Sequence, residues 1–301
     1  MITGRYGRMG NRIWTFANVL AFARDNGIKV SNLAFSQYED FFEGRSGLAA
    51  NATPIKWLGE KALRLLYKVN LRLRLFPVIE LGESGFLNLD ATTASTMAFF
   101  AHRFVFFSGF YFGAARSLLR QGDFIRSYFS LKPALLKRVN NLVQVARGNA
   151  DILIGIHMRQ GDYRTFCEGT MYYSRDEYLA LMRWLEGQCI DRKVVFLVCS
   201  DEAQDFSDCA DLRVVVSADT PIVDLYALAQ CDYICGPNSS FSHWASFVGK
   251  VPLHILDWRT QERIDGGTPI REPDLRRDFL PFDPELFPVH SSHEKSMSDF
   301  H

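Results

Sequence analysis

Seven consecutive residues, His157-Met-Arg-Gln-Gly-Asp-Tyr163, put an imidazole, a guanidinium, a glycine and a carboxylate directly after a short apolar run. A guanidinium is a planar fork of donors that can grip phosphate oxygens two at a time. Gly161 has no Cβ, so a ligand can come close to the backbone there. His157 can bond the same anion or steady Arg159. The chemistry these types suit is the holding of an anion such as a phosphate. The plain alternative is an Arg159–Asp162 ion pair that serves the loop alone.

Further polar groups follow other apolar runs. Ser200 and Asp201 come after the second, Ser217 and Asp219 after the third, and Asn238, Ser239 and Ser240 after the fourth. Hydroxyls at a helix start, with the free N–H groups beside them, form an anion site. Gly7, Gly10, Asn11 and Arg12 precede a helical pattern in the same way, although their spacing is not the dinucleotide-binding G-x-G-x-x-G.

These groups need a scaffold, and the pattern supplies one. Strands are expected at 152–156, 194–199, 213–217, 232–235 and 252–256. Helices are expected from the capping box Ser174/Glu177 to about 187, from Pro221 to about 230, and over 240–248. Short, continuously apolar strands alternating with helices imply an α/β fold with a parallel sheet covered on both faces. Such sheets bind ligands at the carboxyl ends of their strands, where the polar groups above fall.

The first half is less regular. A helix is expected over 13–24. A long basic helix is expected over 56–75, with Leu58, Ala62, Leu65, Leu66, Val69 and Leu73 on one face and Lys61, Arg64, Lys68 and Arg72 on the other. It reads either as a core helix with a solvated basic face or as a helix lying on an anionic membrane surface. From about 283 the chain is rich in Pro, His and Ser and is expected to be poorly ordered; its Glu285, His290 and His293 make a floppy tail in preference to a metal site.

At 301 residues, 48% hydrophobic and 23% charged, the chain has the make-up of a globular protein. Disordered, collagenous and disulfide-scaffold classes are excluded, and no apolar stretch is long enough for a bilayer helix. All six cysteines lie in the second half and read as reduced core residues. No secretory signal reads near Met1, so a cytoplasmic location, or one peripheral to the inner membrane face, is expected. Zero net charge hides an asymmetry: residues 1–150 carry 20 Lys+Arg and 9 Asp+Glu, and residues 151–301 carry 14 and 25, giving +11 and −11. With no recognised module beside the basic half, nucleic acid is not an expected partner.

Several motifs together resemble one family. H-x-R-x-G-D-Y at His157–Tyr163 is similar to the signature of the α-1,2-fucosyltransferases, glycosyltransferase family 11, and of the wider fucosyltransferase superfamily. Gly7-Arg-Met-Gly-Asn-Arg-Ile13, Phe107-Ser-Gly-Phe-Tyr111 and the run from Asp224 to Trp244 resemble its other blocks in the same order. Pro237 and His243 depart from the last block.

The resemblance implies a GT-B-like architecture: two Rossmann-like domains facing across a cleft, here 1–148 on the acceptor side and 149–282 on the donor side, before a tail over 283–301. It implies inverting, metal-independent transfer of L-fucose from GDP-fucose to a glycan hydroxyl, with galactose 2-OH the expected position. No cofactor or metal is expected. The partners would be the GDP-sugar, an oligosaccharide or lipid-linked acceptor, and an anionic membrane surface. Arg159, His157, Gly10, Asn11, Arg12, Ser200, Asp201, Asn238, Ser239 and Ser240 would hold the donor, and Asp219 its guanine. Glu168 would be the base, with Asp162 second. Another nucleotide-linked sugar, or a non-catalytic nucleotide- or glycan-binding relative, are the alternatives.

Overall fold

The computed structural model describes residues 1–4, 6–44, 55–81, 85–91 and 105–256, with 55–60 as backbone only. The expected tail over 283–301 lies outside the described residues. The chain divides into two compact units, with the division between Lys132 and Pro133.

The first unit opens on α1 (Met9–Asp25), whose middle is buried almost all round. It continues with α2 (Ile55–Leu73), β1 (Val78–Glu80), β2 (Leu87–Asn88), β3 (Phe106–Ser108), β4 (Phe112–Gly113), α3 (Ala115–Arg120) and α4 (Gly122–Tyr128). The strands pair in parallel, β1 with β3 and β2 with β4. Ile2 bridges Asn32 on one side and Phe107 on the other, also in parallel. Two or three residues carry no readable period, which is why these strands are not visible in the sequence. A polar clamp and an aromatic cluster hold the unit together. Asn18, 1% exposed, donates to Trp14 O and Tyr111 Oη, both at 2.9 Å, and accepts from Ala114 N at 2.7 Å. Phe16, Phe35, Phe42 and Phe129 meet largely edge to face.

Helix α2 forms where expected but sits differently rotated. Leu63, Tyr67 and Asn70 face inward, while Leu65, Val69 and Leu73, which the core-helix reading would bury, are exposed. Two contacts set the rotation. The Tyr67 ring packs on Phe106, 5.2 Å between centroids. Buried Asn70 donates to Phe76 O at 3.0 Å and accepts from Phe76 N at 2.7 Å, which stops the helix beside left-handed Arg74. A buried amide with both of its partners secured outweighs a better-looking apolar ridge.

The second unit begins with α5 (Pro133–Arg147), then β5 (Ile152–Met158), α6 (Arg175–Gln188), β6 (Val194–Ser200), β7 (Val214–Val216), α7 (Pro221–Leu228), β8 (Tyr233–Pro237), α8 (Ser240–Gly249) and β9 (Leu253–Leu256). Each strand and helix expected in this half is present within a few residues. All five strands run parallel in the order β7-β6-β5-β8-β9. Chain order reverses between β5 and β8, the crevice where doubly wound sheets take ligands. Arg147 pairs with Asp232, which also accepts from Leu153 N at 2.8 Å, so the end of α5 is tied to β5. Gly155 lies in the central strand because a Cβ there would stand 2.6 Å from Leu228 Cδ2 and 3.0 Å from Cys231 Sγ. Five of the six cysteines are buried, Cys167 is exposed, and none is paired.

Ser174 caps α6 reciprocally with Glu177, as the sequence predicts. Replacing Ser174 by Ala removes one arm of that box and should lower unfolding free energy by about 1 kcal/mol. The measurement is the urea midpoint at unchanged m-value.

Candidate functional site

The carboxyl ends of β5 and β8 meet at the switch point. Arg159 emerges from β5 with its side chain only 17% exposed. A mostly desolvated charge needs partners, and it has two: Nη1 is 3.1 Å from Asp201 Oδ2 and Nη2 is 2.8 Å from Asp162 Oδ1. Asp201 is anchored in turn, accepting Gln160 N at 2.7 Å. Gly161 is small for a local reason: a Cβ would stand 2.9 Å from Asp201 Oδ2. The Tyr163 ring lies beside the guanidinium, 5.7 Å from centroid to Cζ.

His157 crosses to the other strand. Its Nδ1 is 2.8 Å from Ser242 Oγ and 3.4 Å from Ser239 Oγ, and its ring stacks on Phe241 at 4.7 Å. Ser242 donates its hydroxyl to Pro237 O at 3.1 Å. It therefore accepts from His157 Nδ1–H, which leaves Nε2 of the neutral ring as an acceptor. Gly236 permits the crossing, since a Cβ there would stand 2.9 Å from His157 Cβ and 2.8 Å from Ser242 Oγ. Burial, and then the Arg159 charge, push the His157 pKa down to about 3. His157 thus stays uncharged beside Arg159.

Ser239 is the N-cap of α8 and accepts Ser242 N at 3.1 Å. Ser240 opens the helix beside it. The first turn of α8 carries no acidic residue, so its N–H groups and dipole favour an anion. Asn238 is oriented by His243, whose Nε2–H donates to Oδ1 at 3.0 Å. Burial lowers the His243 pKa to about 4, so this unusual residue acts as a neutral donor. The structure thus brings His157, Arg159, Asp162, Asp201, Asn238, Ser239 and Ser240 to one end of one sheet.

The other expected residues have the following surroundings. Ser200 ends β6, but its hydroxyl accepts Glu202 N at 3.3 Å in the local turn. The Asp219 carboxylate is engaged by Arg138 and accepts Thr220 N at 2.6 Å. Glu168 is exposed in a left-handed segment, Cys167–Glu168–Gly169, on the loop after Arg159. Gly10, Asn11 and Arg12 belong to the first unit, in the opening turn of α1. There Gly7 is the constrained glycine, with φ +63°, and a Cβ on it would stand 2.3 Å from Asn11 Nδ2. Arg12 Nε donates to Gly7 O at 3.1 Å, while its buried Nη1 has no partner among the described residues.

Sequence reasoning gave no role to Asp224, Phe241 or Ser242. Asp224 lies 6% exposed in α7 and accepts the Ser217 hydroxyl. Burial is the main cause that raises its pKa to about 6. One signal was available, a single carboxylate in an otherwise uncharged helix. Phe241 and Ser242 carry none, because their role depends on which strand lies next to β5. The loop is braced by Arg164, which pairs with Glu202 through both nitrogens at 2.7 Å.

The fold defines the class. A mutant of Arabidopsis thaliana FUT1 in complex with GDP aligns with TM-score 0.53 at 11% identity, over 96% of this chain and 80% of that one. POFUT1 in complex with GDP aligns with TM-score 0.54 at 13% identity, over 84% and 96%. At such identity the likeness establishes the fold, a GT-B-like α/β architecture with parallel sheets. No curated protein matches the chain. The family follows from a different comparison: the glycosyl transferase family 11 model matches residues 60–262, which is 203 of the 301 residues. The chain belongs to that family and is a glycosyltransferase.

The two buried imidazoles set a pH dependence of stability. Their ordinary value is 6.5, against about 3 and about 4 in the folded state. Between those values the unfolded chain binds protons that the folded chain refuses, so stability falls as pH drops below about 6.5. Asp224 opposes this between 3.8 and about 6, but is one group against two. The thermal midpoint should therefore fall from pH 7 to pH 5, and His243→Gln should flatten the slope. A slope the substitution leaves untouched would refute this assignment.

Proposed function

We propose that the chain transfers L-fucose from GDP-fucose to a glycan hydroxyl, the galactose 2-hydroxyl in our reading, with inversion at the anomeric carbon and no metal ion. Family 11 membership and the fucosyltransferase-like motifs support fucose as the sugar. GDP in the complexes of FUT1 and POFUT1 supports guanosine diphosphate as the leaving group. The observation that carries the reading is Arg159, anchored by Asp201 at the switch point, with the α8 N-terminus and Ser239 at the end of the adjacent strand.

The chemistry divides among these groups. The acceptor oxygen attacks the anomeric carbon from the face opposite the diphosphate. The carbon–oxygen bond to the β-phosphate breaks, and its electron pair leaves on the phosphate. Arg159 and the N–H groups of α8 stabilise that growing charge. Asp162 is half exposed and gives way to the phosphate at Nη2, whereas Asp201 stays as the anchor. The hydroxyl proton passes to Glu168 in our reading, with Asp162, freed from Arg159, as the second candidate. Neutral His157 keeps the cradle aligned through Ser242.

A second reading, transfer of another nucleotide-linked sugar, draws on one observation. Asp219, expected to face the guanine, is held by Arg138 and Thr220. A donor screen across GDP-fucose, GDP-mannose and UDP-sugars separates the two readings by the product formed.

Arg159→Ala should lower kcat roughly 100- to 1,000-fold, as loss of a well-placed charge donor does, with an unchanged circular dichroism spectrum. An active Arg159→Ala enzyme would overturn the assignment. Glu168→Gln should remove most of the rate while the GDP Kd is retained. If Asp162→Asn does so instead, the base is Asp162. Turnover in excess EDTA should equal that without it; loss restored by added magnesium would refute metal independence.

A further inference from the structure

We infer that α2 and the residues just after it form a docking surface for a lipid bilayer bearing anionic headgroups. The inference is independent of the donor and acceptor proposed above. Leu65, Val69 and Leu73 recur every four residues and are 62%, 39% and 58% exposed; Leu71 and Leu75 follow at 52% and 59%. A helix repeats every 3.6 residues, so positions 65, 69 and 73 make one continuous ridge. Lys61, Lys68 and Arg72 are exposed along one flank of it, and Arg74 follows. Among the described residues none of these four cations forms an ion pair, whereas Arg64, on the inward side, is spent on Leu33 O at 2.8 Å. No Asp or Glu occurs from Lys61 to Ile79.

The inward face of the helix is occupied by Leu63, Tyr67 and Asn70, so the unit does not need the outer ridge for its core. An exposed leucine ridge beside unpaired cations matches the two-sided chemistry of a membrane surface. Apolar side chains enter the acyl boundary while flanking lysines and arginines reach the headgroup phosphates. A second copy of the chain is a poor occupant, because a two-fold contact would set the same cations against one another. Nucleic acid would satisfy the cations but leave the leucines in water. Among the described residues no helix is long and apolar enough to cross a membrane, so the contact is with the surface.

The test uses the full chain and flotation with two kinds of vesicle, phosphatidylcholine alone and phosphatidylcholine with one-third phosphatidylglycerol. The chain should float with the anionic vesicles only, and less so in high salt. Each surface cation contributes roughly fivefold to partitioning, so Lys61→Gln, Lys68→Gln and Arg72→Gln together should weaken it about a hundredfold. Leu65→Ser with Val69→Ser should abolish it. These positions are exposed, so the thermal midpoint should hold in both variants. A chain that stays at the bottom of the gradient, or binding untouched by both sets, overturns the inference. So does a dimer by light scattering that Leu65→Ser dissolves in a chain that never floats.

Discussion

The Arg159 guanidinium sits largely out of water at the end of the central strand, and the neighbouring residues are arranged around that charge. A cation in that position is tolerable only when paired, so Asp201 and Asp162 close on it. Asp201 must then be held, which the Gln160 backbone does. The next residue must leave room for the carboxylate, which makes it Gly161. The adjacent imidazole must not add a second charge, and burial keeps His157 neutral. One desolvated charge thus accounts for the residue types at 157, 159, 161, 162 and 201.

The same region is locked across the switch point. His157 on β5 reaches Ser242 on α8 and the N-cap Ser239 before it, and Gly236 on β8 lets the two strands approach. The lock sets the Arg159 strand end against the N-terminus of α8. The proposed release of a diphosphate would need positive charge that is already in place when the bond breaks, because reorganising dipoles at that moment costs barrier height. Short, fully engaged side chains on strand and helix ends meet that need better than flexible surface lysines would. His243 fits the same pattern as a neutral donor that keeps Asn238 in place.

In the first unit the decisive constraint is an amide. Asn70 must satisfy both ends of its side chain, and the Phe76 backbone is where it does so. That requirement rotates α2 and exposes the ridge of Leu65, Val69 and Leu73, which the core-helix reading of the same periodicity would have buried. The case shows why an apolar stripe is not yet a buried stripe. Two stripes on one helix compete, and the polar groups beside them decide which one turns inward.

The doubly wound sheet of the second unit is written in its chain. Each of its strands is a short apolar run, each helix has a local start signal such as Ser174 or Pro221, and both kinds of signal depend only on near neighbours. The residues expected to hold an anion were equally visible, because Arg159, Gly161, Ser239 and Ser240 sit at strand ends in any sheet of this kind. Strand order was not written there. Once β5 lies between β6 and β8, Asp201 comes to Arg159 and Ser242 to His157, pairings that span 42 and 85 positions along the chain. Asp219 meets Arg138 and Asp224 is buried against Ser217 for the same reason. Local pattern specifies which elements form and which groups they end on. Partners distant in sequence are chosen by packing, because burial requires each polar group to find a bond and only the assembled fold offers one.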